Sequence, residues 1–366
     1  MAYDCASIVR QFTVPGAFRS AAPYGTGHIN DTYCVECVAA GRLVRYILQR
    51  VNHRIFAAPD RLMQNIVRVT GHVRAKLATA SPANIERGTL TVVPARDGKA
   101  YHRDEAGNWW RVYVFIEGAR TYDVVQNRSQ AFAAARAFGA FQAMLSDFPA
   151  ATLHETIPAF HHTPSRLARL KEAIGADAHN RAAGAGAEIA FVLAREEMTT
   201  RLTTLAGRGE LCVRVTHNDT KINNVMIDDA TGDGVCVIDL DTVMPGLSLY
   251  DFGDCVRTTT ALAAEDERDL ARVGMSLDLF AALADGYLSS ARALLSPLEA
   301  DLLPFSGMLI TLEIGIRFLT DYLEGDVYFK THRPGQNLDR ARTQFAMVAS
   351  MERQMAQMEM IVARLR

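Results

Sequence analysis

Several things are scarce in this chain of 366 residues, and each scarcity closes off a class of protein. There is no surplus of one charge: 39 Lys and Arg stand against 41 Asp and Glu. A general binder of nucleic acid or of an anionic membrane surface carries a basic excess, so neither partner is expected. No run of 18 uninterrupted apolar residues occurs, and Asp4 and Arg10 break up the first residues, so neither a membrane span nor a secretory signal is expected. Cysteine is sparse and scattered, at 5, 34, 37, 212, 236 and 255. Cys34 and Cys37 have CxxC spacing, but no second pair lies nearby to complete a zinc set, and on a strand that spacing sends the two thiols to opposite faces. His161-His162 likewise lacks the helical HExxH context of a metal site. A reduced, cytoplasmic enzyme-sized protein is the expectation. No GxxxxGK[ST] occurs, which excludes a P-loop, and no internal repeat is found.

What is present is apolar residues, at 49%, enough to bury a large core, and a length that suits about two domains. The texture changes near Glu117-Gly118. Before it, residues 1–117 read as strands with one helix. Two β-rich runs flank the turn Ala39-Ala40-Gly41-Arg42, a hairpin signal. Pro59-Asp60 opens a helix with Leu62, Ile66, Val69, Val73 and Leu77 on one stripe. TLTVVPAR and WWRVYVFIEG supply further strands. After it, residues 118–366 read as mostly helical, with a short β interlude at 213–243. The expected fold is α+β and bilobal: a small β-rich lobe, then a larger helical one.

The interlude carries the chemistry. VMID and VCVID are short strands joined by the turn-rich DATGDG, so their outer ends, Asn224 and Asp239, should meet. An Asn and an Asp at one end make an oxygen-rich site for a hard cation that also holds phosphates. Upstream, His217-Asn-Asp219-Thr-Lys221-Ile-Asn-Asn224 has the spacing H-x-D-x-K-x-x-N of a kinase catalytic loop. There the Asp orients the attacking hydroxyl, the Lys meets the moving phosphate and the Asn binds metal. The chain also contains a literal DFG in YDFGD, residues 250–254, but Met244-Pro245-Gly246 reads as a turn leading away from the hairpin. Asp239 is therefore the expected metal ligand, and Asp251 a helix cap or a brace for the catalytic loop. Asp241 shares a strand face with Asp239 and is a candidate for a second-metal or supporting role.

The catalytic loop with VIDLD resembles the aminoglycoside phosphotransferase and choline kinase superfamily, small-molecule kinases of protein-kinase-like fold. YGTGHINDTY, YILQRVN, WRVYVFIE, RVTHNDTKINN, VIDLDTVMPG, YDFGD, LLPFSG and RFLTDYLEGDVYF, in order over nearly the whole chain, are similar within it to the N-acetylhexosamine 1-kinases. The resemblance implies ATP and Mg²⁺ as cofactors, a small-molecule sugar as substrate and phosphorylation of its anomeric hydroxyl by a monomer. Another small alcohol, such as choline, homoserine or an aminoglycoside, is the rival acceptor, and a non-catalytic binding module the rival class.

Gly25, Gly27, His28 and Asn30 form a candidate phosphate or sugar lid, with a plain hairpin turn as the alternative. The kinase strand Lys and its helix Glu are both missing: YILQRV offers Gln49 or Arg50, and residues 60–77 contain no Glu. Gln49 or Arg50 is expected to share the phosphate contact, with adenine against a hinge at Phe115 to Gly118, including Glu117. For the acceptor, Glu313, Arg317 and Asp321 are spaced four apart on an otherwise apolar helix and form one stripe. That stripe is either an exposed salt-bridge ladder or the polar wall of a cleft. The resemblance favours Arg317 and Asp321 as sugar contacts and adds Tyr328.

Overall fold

The computed structural model describes residues 3–25, 29–80, 82 and 85–366. The expected α+β architecture is what the chain adopts: an antiparallel sheet, then a helical part. After the short helix α1 (Cys5–Val9), the sheet is built from β1 (Ala17–Pro23), β2 (Asp31–Ala39) and β3 (Arg42–Val51). The long helix α2 (Pro59–Ala80) follows, then β4 (Val92–Val93), β5 (His102–Arg103) and β6 (Trp109–Val114). The strand order is β1-β2-β3-β6-β4, with β5 also paired to β6. The β2–β3 hairpin closes through Ala40 and Gly41, at φ 48° and 76°. Two consecutive positive φ values give the turn whose twist matches its strands.

Register decides which side chains see the cleft. Gln49 pairs with Arg111 and Arg50 pairs with Trp110, and paired residues share a face. Trp110 lies in an outer core with Val35, Cys37, Leu48 and Phe12, capped by α1. Even positions of β3 therefore face outward, and odd ones face the cleft. Cys37 is buried in that outer core while Cys34 points to the other side, as the spacing of three requires.

Leu62, Ile66, Val69 and Val73 of α2 are fully buried, as the stripe predicts. They join a core that continues into the helical part, through Phe138, Val225, Leu240 and Phe252. The sheet and the helical part thus share one apolar interior. The outer sheet face has a core of its own, and so does a cluster within the helical part that includes Leu170, Val192, Leu312 and Phe345.

The helical part begins after β7 (Ala119–Arg120) with α3 (Arg128–Met144). Next come α4 (Thr163–Ala176), α5 (Gly186–Leu193), α6 (Glu196–Thr199) and α7 (Arg201–Gly207). Strand β8 (Val213–Thr216) leads into the 217–224 segment, β9 (Val225–Asp228) and β10 (Gly234–Val237) form the hairpin that follows, and β11 (Met244–Leu247) pairs back onto β8. This corrects the reading of Met244-Pro245-Gly246 as a turn: Pro245 lies opposite Val215 in a two-stranded ribbon, where its missing N–H is tolerated. Beyond lie α8 (Ser248–Thr259), α9 (Leu277–Ala291), α10 (Pro297–Asp301), α11 (Leu303–Leu323) and α12 (Gln336–Leu365). Helices α3 and α9 approach so closely that a Cβ on Gly286 would run into the Phe132 carbonyl. Helix α11 is long and apolar enough to cross a membrane, but 89% of its apolar window is buried within the fold, which makes it a core helix.

Candidate active site

A cleft of about 530 Å³ opens between the sheet and the β9–β10 hairpin. That is the size of a small-molecule site. Gly25, Asn30, Gln49 and Arg111 line it from the sheet side, and Asp219, Lys221, Asn224, Asp239 and Asp241 from the other.

The segment from His217 to Asn224 is held by its own side chains. His217 Nδ1 accepts from the Asp219 N–H at 3.2 Å, so its other nitrogen carries the proton and donates to the Ile238 carbonyl at 2.8 Å. The imidazole thus ties the loop to the end of the hairpin. Asn218 takes φ 66°, a left-handed conformation that Asn tolerates, and its amide donates to the Thr242 carbonyl at 2.9 Å. Asp219 Oδ1 lies 2.7 Å from Lys221 Nζ, and its Oδ2 accepts from Asn224 Nδ2 at 3.2 Å. Burial pushes the Asp219 carboxyl up, but the Lys221 ammonium outweighs it and holds the group below the usual range. Asp219 is therefore an ionised carboxylate with a cation beside it.

Asn224 and Asp239 meet at the mouth of the hairpin. Val225 pairs with Val237, and the Ile238 N–H donates to the Asn224 carbonyl at 2.9 Å. Asp239 sits at φ 58° and opens into the cleft, with no hydrogen-bond donor on its carboxylate among the described residues. Its pKa is pushed up to about 6, first by its desolvated setting and then by Asp241 and Asp219. A carboxylate without a donor, among two other carboxylates, is relieved by a cation. The Asn224 amide gives its N–H to Asp219, leaving its oxygen for the same ion. No cluster of three His, Cys, Asp or Glu side chains suited to a metal exists among the described residues. The donor set of one carboxylate and one amide fits Mg²⁺ that completes its shell with water and phosphate.

Asp251 does something else. In the first turn of α8 it accepts from the His217 N–H at 2.9 Å, the Asn218 N–H at 2.7 Å and Gln142 Nε2 at 2.5 Å. Gln142 is set in turn by Tyr287 Oη. Asp254, one turn on, accepts from the Thr220 N–H at 2.9 Å. The literal DFG is a bracket for the catalytic loop.

The profile of a family described as phosphotransferase enzymes matches residues 20–287, well over half of the chain. The chain belongs to this phosphotransferase family. A microcompartment-associated aminopropanol kinase matches the structure at TM-score 0.58 and 18% identity, covering 96% of each chain. An aminoglycoside phosphotransferase from Alicyclobacillus acidocaldarius matches at 0.61 and 15%, covering 100% of this chain and 98% of that one. A choline kinase from Cryptosporidium parvum matches at 0.54 and 12%, covering 94% and 92%. At these identities the likeness is one of fold, the protein-kinase-like fold of small-molecule kinases.

Several candidate residues of the phosphotransferase are placed otherwise than expected. Gly25 lines the cleft at φ 79°, while Gly27 and His28 lie outside the described residues. Asn30 lines the cleft, but its amide is spent on Asp241, at 2.7 Å, and on the Asn52 N–H, at 2.9 Å. Gln49 lines it too, yet both ends are engaged, with Thr32 Oγ1 at 3.0 Å and Arg111 Nε at 2.9 Å. Arg50 is not at the cleft. It faces outward beside Trp110 and pairs with Asp31 at 2.6 Å, because it is one residue out of phase with Gln49. The hinge lining runs from Val114 to Ile116 and stops there. Glu117 turns to the surface and pairs with Arg45, and Gly118, at φ 66°, gives its carbonyl to Arg87 and to the Asp229 N–H.

The stripe on α11 divides into three separate jobs. Glu313 is fully buried and accepts from His161 Nδ1 at 2.8 Å and Thr163 Oγ1 at 2.6 Å. His161 Nε2 then donates to the Asn218 carbonyl at 3.0 Å. Burial opposes a charge on His161, but Glu313 wins and holds its pKa above the usual value. Arg317 makes no ion pair among the described residues; its guanidinium lies 5.2, 5.8 and 5.6 Å from the ring centres of Phe160, Tyr328 and Phe329. Asp321 cannot be a sugar contact. Its two oxygens already accept from the N–H groups of Val327, Tyr328 and Phe329, at 2.9, 2.7 and 2.9 Å, and from Asn337 at 2.8 Å. It builds the loop that presents Tyr328. Two participants went unread in the sequence: Arg111, visible only as a charge inside an apolar strand, and His161, whose partner lies 152 positions away.

Proposed function

We propose that this phosphotransferase moves the γ-phosphoryl group of ATP to the anomeric hydroxyl of an N-acetylhexosamine, of the N-acetylglucosamine or N-acetylgalactosamine type, giving the sugar 1-phosphate. The motif run over nearly the whole chain supports the sugar. The single observation that carries the choice of acceptor class is the setting of Arg317. A guanidinium without an ion-pair partner among the described residues, walled by aromatic rings, suits a neutral polyol that offers oxygen acceptors and an apolar ring face. Arg166 stands close enough for the two cations to disfavour each other. The amine-bearing acceptors named for the structural neighbours would be repelled there. Glu313, hydrogen-bonded to His161 and Thr163, offsets this only in part.

Asp219 orients the sugar hydroxyl and accepts its proton as the new P–O bond forms and the bond to the leaving ADP oxygen breaks. Lys221 keeps Asp219 ionised and steadies the transferring group. Asn224 and Asp239 would hold Mg²⁺, which would neutralise charge on the phosphates. The test is a panel of N-acetylhexosamines, hexoses, choline, homoserine and an aminoglycoside with Mg-ATP, followed by ³¹P and ¹³C NMR of the product. A phosphate on C1 of an N-acetylhexosamine is the expected result. Efficient turnover of an amine-bearing alcohol with none of the sugars would replace this reading.

A further inference from the structure

The lysine–glutamate pair of kinases, missing from this sequence, has a counterpart assembled from other elements. Arg111 stands at the centre of the sheet with its side chain 1% exposed. Its register opposite Gln49 aims it at the cleft and away from the outer core. Nη1 meets Asp241 Oδ1 at 2.5 Å and Nε meets Gln49 Oε1 at 2.9 Å. Nη2 has no acceptor among the described residues. Asp241 receives Asn30 on its other oxygen, and Asn30 in turn holds the Asn52 N–H. One network therefore ties the sheet to the segment that carries Asp239, two residues away.

We propose that Arg111 grips the nucleotide phosphates in this enzyme, with Asp241 and Gln49 orienting it across the cleft. This rests on the nucleotide-dependent transfer proposed above. The charge balance points the same way. Asp123, Asp219, Asp239 and Asp241 line the cleft, and Arg111 and Lys221 are the cationic side chains among its described lining residues. Lys221 is committed to Asp219 at 2.7 Å. A polyphosphate arriving from the sheet side meets Arg111, whose planar fork can bond Asp241 along one edge and phosphate oxygens along another. A lysine could not serve both edges, which explains why an arginine stands here. In kinases the anchoring glutamate belongs to the small lobe's own helix. Here the anchor comes from the far side of the cleft, so the phosphate contact is complete only when the two walls are joined.

The test is calorimetric titration of the full-length chain with Mg-ADP and, separately, with adenosine. Arg111→Met alone strands the Asp241 charge and risks unfolding, so the decisive variant is Arg111→Met with Asp241→Asn, which removes both charges. That variant is expected to lose at least about tenfold in Mg-ADP affinity while holding adenosine within about twofold. Arg111→Lys is expected to recover part of the ADP affinity. Unchanged Mg-ADP binding in the folded double variant, or an equal loss for both ligands, overturns the assignment and leaves the phosphotransfer reading standing. A wild-type chain that binds neither ligand overturns both.

Discussion

VIDLD and YDFGD end only 13 residues apart, and both point an aspartate toward the same loop, yet they do opposite things. Among the described residues Asp239 opens into the cleft with no donor on its carboxylate, while Asp251 is 1% exposed and accepts three hydrogen bonds. The difference lies in what the backbone around each does. Asp239 follows a hairpin strand and enters a left-handed turn that leaves its side chain at the mouth. Asp251 lies in the first turn of a helix packed beneath the loop, within reach of two backbone N–H groups. A free carboxylate is available for chemistry, and a saturated one is available only for architecture.

Substitution separates the two roles. The largest effect belongs to the group both aspartates serve. Asp219→Asn should cut turnover by about 10³-fold, with an unchanged melting curve, read by coupled ADP release. Asp239→Asn should follow, with at least about a hundredfold loss and a steeper Mg²⁺ requirement, again without loss of stability. Asp251→Ala should reverse the pattern. It strands three donors in the interior and should cost about 3 kcal/mol or more, seen as a melting point several degrees lower, with activity falling as the loop loosens. Were Asp251→Ala to melt like the wild type, the division of labour drawn here would be wrong.

A smaller effect lies on the far side of the loop. The folded-state pKa of His161 is held above its ordinary 6.5, so the stability it contributes is complete below that value and is lost as pH rises through the raised one. Glu313 is held below its ordinary 4.5 by His161, its hydrogen bonds outweighing burial, so its contribution is lost as pH falls through that lowered value. His161→Gln should therefore remove the alkaline-side decline in melting temperature. A variant with the same alkaline profile as the wild type would place the titration elsewhere. The smallest effect is expected at Arg317. Arg317→Met should raise the KM for the sugar by about tenfold, leaving the KM for ATP unchanged, since only the acceptor contact is altered.

Much of the site was legible because its chemistry is local. His217 to Asn224 and the hairpin to Asp239 span 23 consecutive residues, and two short strands around a turn can bring their ends together in only one way. The cradle was less legible. Choosing between Gln49 and Arg50 needed the register of β3 against β6, and a shift of one residue reverses every face. The α11 stripe was read correctly as one face, yet spacing says nothing of what packs against each member. His161 claimed Glu313, the 327–329 loop claimed Asp321, and Arg317 was left among aromatic rings, with no ion pair among the described residues.

Periodicity and short-range turns, which are properties of neighbouring residues, were enough to read the α+β architecture and the hairpin that brings Asn224 to Asp239. The tertiary structure decided that Arg111 meets Asp241, 130 positions away, and that the buried Glu313 reaches the catalytic loop through His161. Those pairings exist only once strands are in register and helices are packed. A buried charge takes whichever partner the fold brings within reach, and that partner need not be near it along the chain.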